Sequence, residues 1–488
     1  MSSTTNKTSK SQKLGLISLV AIVVSSMIGS GVDGLPQNMA ANSALGPIII
    51  AWLICGFGMF FIARTFIVLS NIRPDLQSGI YMYAQEGFGP FIAFNVAWGY
   101  WLMNIFSNVA FAVIVMDALN YFFPGDFQGG NNLASIIGAS ILIWGFNFIV
   151  LSGTRDAGIV NTMGTFIKLI PLVIFVFVLV YSLNYTQLTT DFWGHTPADH
   201  QQKLGTVLSQ VLSPLDVALW CFIGIEGAVA LSGRARNKAD IGKATLIGFV
   251  ISLGVCILIS VLPFGVLNQA QLATIPTPST AGVLKEVTGL WGEWLINVGV
   301  VVSVLTSWLA WTMICAEIPM IAAKNGTFPE SFARKNKRDT ASFSLYTSTI
   351  FMQLVMLLVY FSHHAWITML SIASVTVLPA YLASNAYLFK LCLSGEYDKY
   401  VSKGKVAALI SSIIGMVFCF LMFYASPIQY VAFTPILLTI GLPLFVWTRR
   451  EKKDHLPVFR QHEVAILIIL LLLDALVLWL WMQGIIIL

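Results

Sequence analysis

The chain reads as an all-α polytopic membrane protein with about thirteen transmembrane helices, and three observations predict this. The first is composition. Of 488 residues, 57% are hydrophobic and only 10% charged, with a mean hydropathy of +0.81, whereas soluble domains carry about 25% charged residues. The second is a series of apolar runs, each close to the roughly 20 residues that cross a bilayer core of about 30 Å. The third is the placement of basic residues between those runs.

The apolar runs place spans at 15–39, 44–69, 88–120, 132–152, 158–182, 207–231, 243–267, 288–322, 341–361, 365–390, 406–424, 430–448 and 463–485. The third and eighth are long enough to require strong tilt. No soluble domain fits in what remains. The first residues, Met1 to Lys13, are polar, and the first apolar run is too long for a cleaved signal peptide. With that tail inside and thirteen crossings, 24 of the 27 Lys and Arg fall in cytoplasmic segments or, for Arg64, Lys243 and Lys390, at the cytoplasmic ends of the spans beside them. Only Lys203 and Lys285 fall outside, and Lys168 lies within a span. Basic residues concentrate on the cytoplasmic side, so the N-terminus is expected inside and the C-terminus outside, in a cell membrane. This topology accounts for the net charge of +5 without a nucleic-acid partner. The six cysteines all fall in or beside spans and read as small core residues, with no metal site and no cofactor expected.

Two spans are interrupted. The first reads Met27-Ile28-Gly29-Ser30-Gly31-Val32-Asp33-Gly34-Leu35-Pro36 and the sixth Phe222-Ile223-Gly224-Ile225-Glu226-Gly227. Glycines weaken a helix and leave backbone groups free. Freed N–H groups around Gly29, Ser30 and Gly31 can take a carboxylate, and freed carbonyls at Ile28 and Ile223 can take an ammonium. The breaks lie five spans apart, as expected of transporters built from inverted repeats. The expected divisions are a tail (1–14), a first five-helix repeat (15–182), an inverted second one (207–390) and three added helices (406–488).

Charges within spans are costly and ask for a reason. Asp33 is either a counter-charge for a substrate amine or a cap on the second half-helix. Glu226 is either a proton-sensing group or a structural acceptor for the unwound backbone. Lys168 lies ten residues into its span, and three readings stay open: a proton exchanger, an ammonium standing where a sodium ion would sit, or a structural lysine. Asp117 and Asp216 lie near span ends. Asp474 is mid-span in the last helix, where a second copy of the chain is the candidate partner. Aromatic faces hold cations, which singles out Trp220, mid-span Trp311, and Tyr100 in the third span.

The stretch Ser26-Met27-Ile28-Gly29-Ser30-Gly31-Val32 followed by Leu35-Pro36-Gln37-Asn38-Met39-Ala40 resembles the amino acid–polyamine–organocation superfamily. It is most similar to basic amino acid/polyamine antiporters of the arginine/ornithine exchanger type. Matching stretches continue at Arg73-Pro74-Asp75-Leu76, Ala97-Trp98-Gly99-Tyr100-Trp101, Trp220 to Gly227, Arg234-Ala235-Arg236-Asn237-Lys238, Gly242-Lys243-Ala244-Thr245 and Ala310-Trp311-Thr312.

The resemblance implies a leucine-transporter-like 5+5 inverted repeat and exchange of an external cationic amino acid for its metabolic product. It also implies roles for single positions. Ser30 and its flanking glycines match the loop that binds the substrate carboxylate, and Trp220 and Trp311 match aromatics that gate and stack on the cationic side chain. Glu226 matches the acid linked to proton sensing, Asn108 a polar residue near the substrate, and Lys168 the lysine that takes the place of sodium. Asp33 departs from the pattern, because the family usually has an aromatic residue there. An added carboxylate suits an amine substrate lacking its own, so a histidine/histamine-type exchange is a rival, as is a proton-coupled importer. The chain shows no motif of an intramembrane enzyme and no channel filter.

Overall fold

The computed structural model of the chain describes residues 15–76, 80–195, 204–226, 236–237, 239–362, 364–452 and 457–486, the side chains of residues 18, 22, 30, 154–166 and 239 excepted. The expected tail (1–14), Lys203, Gly227, Arg234, Ala235, Lys238 and the Ser30 side chain lie outside the described residues.

Among the described residues every regular element is helical. A membrane core offers the backbone no water, so each span must satisfy its own N–H and C=O groups. The first expected span is α1 (Leu16–Met27), a 3₁₀ turn (Ser30–Gly34) and α2 (Leu35–Ala40), bent by 42° at the break. Next come α3 (Leu45–Ile72), a short α4 (Tyr81–Phe88), α5 (Pro90–Leu119), α6 (Leu133–Ser152) and α7 (Thr154–Tyr181). The sixth span is represented by the helix Val207–Leu212 and by α8 (Leu215–Trp220), followed by a turn.

The second half continues with α9 (Ala239–Val261), the short α10 (Gln269–Thr274) and α11 (Ser279–Thr288), and the 35-residue α12 (Leu290–Lys324). It ends with α13 (Ser342–Val359) and α14 (Ala365–Leu393). Beyond them lie α15 (Lys405–Ala425), α16 (Ile428–Ile440), α17 (Leu442–Glu451) and α18 (Gln461–Met482).

Among the described residues ten helices are long and apolar enough to cross a membrane, or eleven if the bent first pair is one span. The expected fifth span lies in α7, whose 28 residues cover about 42 Å at 1.5 Å per residue, and the sixth is described only to residue 226, its apolar helical part being Val207–Trp220. The expected number of about thirteen is reached only if both of these cross. The Val207–Trp220 piece alone falls short of a core of about 30 Å, and the expected sixth span continues to 231, outside the described residues.

Burial orders the bundle. The most apolar window of α5 is 89% buried and that of α14 78%, against 6% for α18. The central pair α5 and α14 therefore pack against each other and carry the side chains that meet the two breaks, while α18 faces outward. Two polar contacts hold α18 on. Arg449 at the end of α17 pairs with the buried Glu463 at 2.8 Å, and Thr439 donates to Asp474 at 2.5 Å. All six cysteines are buried and form no disulfide.

Candidate functional site

The site is built where the two interrupted spans touch. α1 ends at Met27, and the Ile28 N–H still reaches the Val24 carbonyl at 2.8 Å. Gly29 is then extended, with φ −110° and ψ −160°, before the chain tightens into the 3₁₀ turn. A helix that stops here leaves its last carbonyls and the next N–H groups without helical partners.

The sixth span stops in the same layer. After Trp220 the backbone turns through residues 221–226, with Gly224 at φ +101°. That conformation disfavours any residue with a Cβ, and a Cβ there would lie 3.0 Å from the Ser26 Cβ. Ser26 Oγ donates to the Gly224 carbonyl at 3.1 Å and so ties one break to the other.

Between them lies a narrow cavity lined by Ser26, Met27, Gly29, Ser107, Phe111, Trp220, Ile223 and Trp311. Its volume of about 20 Å³ takes a water molecule, not an amino acid. Trp220 closes one side. A Cβ on Gly31 would overlap the Trp220 ring, so the Gly-Ser-Gly loop accepts the indole only because it is bare. Behind Trp220 stands Trp366, edge-on at 5.3 Å between ring centroids, and Phe111 lies at 6.2 Å on the cavity side.

Of the residues expected to bind substrate, Gly29, Trp220, Ile223 and Trp311 line this cavity. Ile28 is buried next to it in the break. Tyr100 and Glu226 form a separate polar cluster: Tyr100 donates to Glu226 Oε1 at 2.6 Å and Tyr381 to Oε2 at 3.1 Å. A buried carboxylate with both oxygens accepting from phenols joins the sixth-span turn to α5 and α14. Asn108 accepts from Thr312 at 3.1 Å and donates to the Asn104 carbonyl at 2.7 Å. It links α5 to α12 immediately after Ser107.

Lys168 is 3% exposed. Its ammonium donates to the Ser25 carbonyl at 2.8 Å and to the hydroxyls of Ser25 at 3.1 Å and Ser307 at 3.4 Å. These oxygens belong to the last turn of α1 and to α12, so one cation joins the fifth, first and eighth spans through oxygen ligands alone.

Asp33 requires a correction. It caps neither the 3₁₀ turn nor α2. It sits inside the turn, and Thr280 Oγ1 at the start of α11 donates to its carboxylate at 3.4 Å and to its carbonyl at 3.2 Å. The half-helix opens as a 3₁₀ turn at Ser30, which carries Asp33 past the capping position and towards α11. Asp216 accepts from Ser371 of α14 at 2.7 Å. Asp117 accepts from the Gly129 N–H at 2.8 Å.

Sequence reasoning missed Met27, Ser107, Phe111, Tyr381 and Trp366. Phe111 follows Asn108 by one helical turn, which could have marked it as sharing that face. Tyr381 carried no signal beyond being a tyrosine in mid-span. Among the described residues no group of three His, Cys, Asp or Glu could hold a metal ion.

Residues 14–440 match the amino acid permease family. The chain is 54% identical over 461 residues to the arginine/agmatine antiporter of Chlamydia pneumoniae, covering 94% of this chain and 95% of that protein. It is 50% identical over 479 residues to the arginine/agmatine antiporter of Chlamydia caviae, covering 98% of each. With two broken spans meeting at a small aromatic-walled cavity and a family match across most of its length, the chain belongs to the amino acid permease family, among the basic amino acid antiporters of the amino acid–polyamine–organocation superfamily.

Proposed function

We propose that the chain exchanges external arginine for internal agmatine, its decarboxylation product, by alternating access at the cavity between the broken spans. The observation that carries this reading is similarity over nearly the full length to proteins named arginine/agmatine antiporters. Agmatine takes the place of ornithine as the expected product. It also suits Asp33, since an amine without a carboxylate gains from an added acid nearby.

The mechanism follows from what each group can do. N–H groups of the Gly29–Gly31 loop receive the carboxylate, and carbonyls at Ile28 and Ile223 receive the α-ammonium. The guanidinium lies between the indoles of Trp220 and Trp311, whose faces attract cations. A volume of about 20 Å³ is too small for arginine, so binding requires Trp220 to swing off the Gly31 backbone. Lys168 supplies a permanent cation at the Ser25 carbonyl, which lets the first and fifth spans hold together without sodium. Glu226, bonded to Tyr100 and Tyr381, ties the sixth-span turn to α5 and α14. Residues 15–182 and 207–390 act as the two inverted repeats, with the N-terminus cytoplasmic and the C-terminus outside.

Counterflow in proteoliposomes tests the reading. Labelled arginine uptake is expected with internal agmatine or arginine and not from empty vesicles. Ornithine, histidine and histamine as internal partners separate the rival pairs. Uptake from empty vesicles that follows a proton gradient would make the protein an importer instead.

A further inference from the structure

The side of Trp220 facing away from the cavity holds two donors without acceptors. Asn38 on α2 and Trp366 at the start of α14 are each only 8% exposed, and neither Asn38 Nδ2 nor Trp366 Nε1 has a hydrogen-bond partner. Buried N–H groups are almost always satisfied, because leaving one without an acceptor is costly. Here two occur together. A Cβ built on Gly34 would stand 2.8 Å from Asn38 Nδ2 and 3.7 Å from Trp366 Nε1. Both donors therefore converge on the bare face of Gly34.

Trp366 packs edge-on against Trp220 and, unlike Trp220, does not line the cavity. The two donors thus lie one layer beyond the Trp220 plug, in the direction away from the cavity. The neighbouring acid is Asp33, one residue before Gly34, which is held by Thr280. Two converging N–H donors complement the carboxylate of an α-amino acid head group, and Asp33 lies in the same 3₁₀ turn as Gly34.

We propose that Asn38 and Trp366 form an outer carboxylate subsite that receives the α-carboxylate of the amino acid substrate before or after it passes Trp220. A substrate without that carboxylate gains nothing from the two donors. The subsite therefore helps distinguish arginine from agmatine, and in this respect the inference rests on the proposed exchange. Under the expected topology the subsite faces outside, where the amino acid must be selected over the released amine.

The test compares KM for external arginine and external agmatine in counterflow, using wild type, Trp366→Phe, Asn38→Leu and the double variant. Trp366→Phe keeps the ring against Trp220 and removes only the N–H. The expected result is a KM for arginine raised about ten-fold in the double variant, with agmatine changed less than about two-fold and the maximal rates retained. Equal movement of both KM values would overturn the proposal and make the pair a packing element of the gate. No movement of either would also overturn it, leaving only a bound water at the donors. Should wild type fail to exchange arginine for agmatine, the functional reading fails on its own. The subsite then stands or falls on the same KM comparison with histidine and histamine, which differ by the same carboxylate.

Discussion

At the scale of single residues, three positions carry most of the proposed mechanism. Gly31 gives way to the Trp220 ring, and even a methyl group there would overlap it. Gly31→Ala is therefore expected to leave the protein folded but to reduce exchange by at least about ten-fold, since overpacking typically costs about 1–3 kcal/mol. Near-normal exchange in vesicles would show that the indole does not need this seat. Lys168 makes charge-assisted bonds to Ser25 and Ser307, a class worth about 1.5–3 kcal/mol each. Lys168→Met should slow exchange by about ten-fold or more while leaving arginine affinity nearly unchanged in calorimetry. A matching fall in affinity would place the ammonium on the substrate instead. Glu226 was legible as a membrane acid inside a glycine break, and so was Lys168 as a charge in mid-span, because burial in lipid singles out any ion. Tyr381 was not legible, since a tyrosine in mid-span has the same composition signal whether it packs or donates. Asp33 was legible as unusual but not as a contact of Thr280, because that pairing joins residues 247 positions apart.

At the scale of elements, the glycine breaks were read correctly, and what they do to each other was not. Gly29 and Gly224 announce themselves through helix propensity, whereas the Ser26 hydroxyl that bridges to the Gly224 carbonyl depends on tertiary placement. The sixth span is the weakest part of the expected pattern, its described helical part being Val207–Trp220. Hydropathy counts an apolar run as continuous, yet Pro214 and the turn after Trp220 divide the sixth into short pieces. The last helix gives an element-scale prediction. The Arg449 and Glu463 side chains are 12% and 1% exposed, and breaking a buried pair by removing one partner costs about 3–5 kcal/mol. Glu463→Gln or Arg449→Met alone should lower the unfolding temperature in detergent clearly, and the double variant less than the sum of the two. Strict additivity would mean that the pair does not hold α18 to α17. Between α3 and α4, Arg73 bonds Asp75, stands 3.5 Å from Glu86 and donates to Tyr387 near the end of α14. The guanidinium holds the Asp75 carboxyl below its ordinary value. A depressed carboxyl contributes its stability above its unfolded-state pKa and loses it as pH falls through the folded one. This junction therefore persists at neutral and mildly acidic pH and is no switch there.

For the whole molecule, the apolar runs and the 24-to-2 division of basic residues make a multi-pass helical protein legible in the sequence. The physical reason is that lipid imposes a length and a composition on every span. Substrate choice was less legible. Arginine, ornithine and histidine exchangers need the same broken helices and aromatic walls, and a difference of one carboxylate or one ring is read by contacts too local to appear in a pattern. Exchange of singly charged arginine for doubly charged agmatine would move one positive charge outward per cycle. An inside-positive potential set by potassium and valinomycin is then expected to accelerate arginine uptake into agmatine-loaded vesicles, and an inside-negative one to slow it. Indifference to potential would require a compensating proton or a different pair.

The most direct measurement is uptake of labelled arginine into proteoliposomes loaded with agmatine, ornithine or buffer alone. The proposed mechanism predicts rapid uptake with agmatine inside, little with buffer, and weaker uptake with ornithine. Equal uptake from buffer-loaded and agmatine-loaded vesicles would contradict obligatory exchange at a single alternating site.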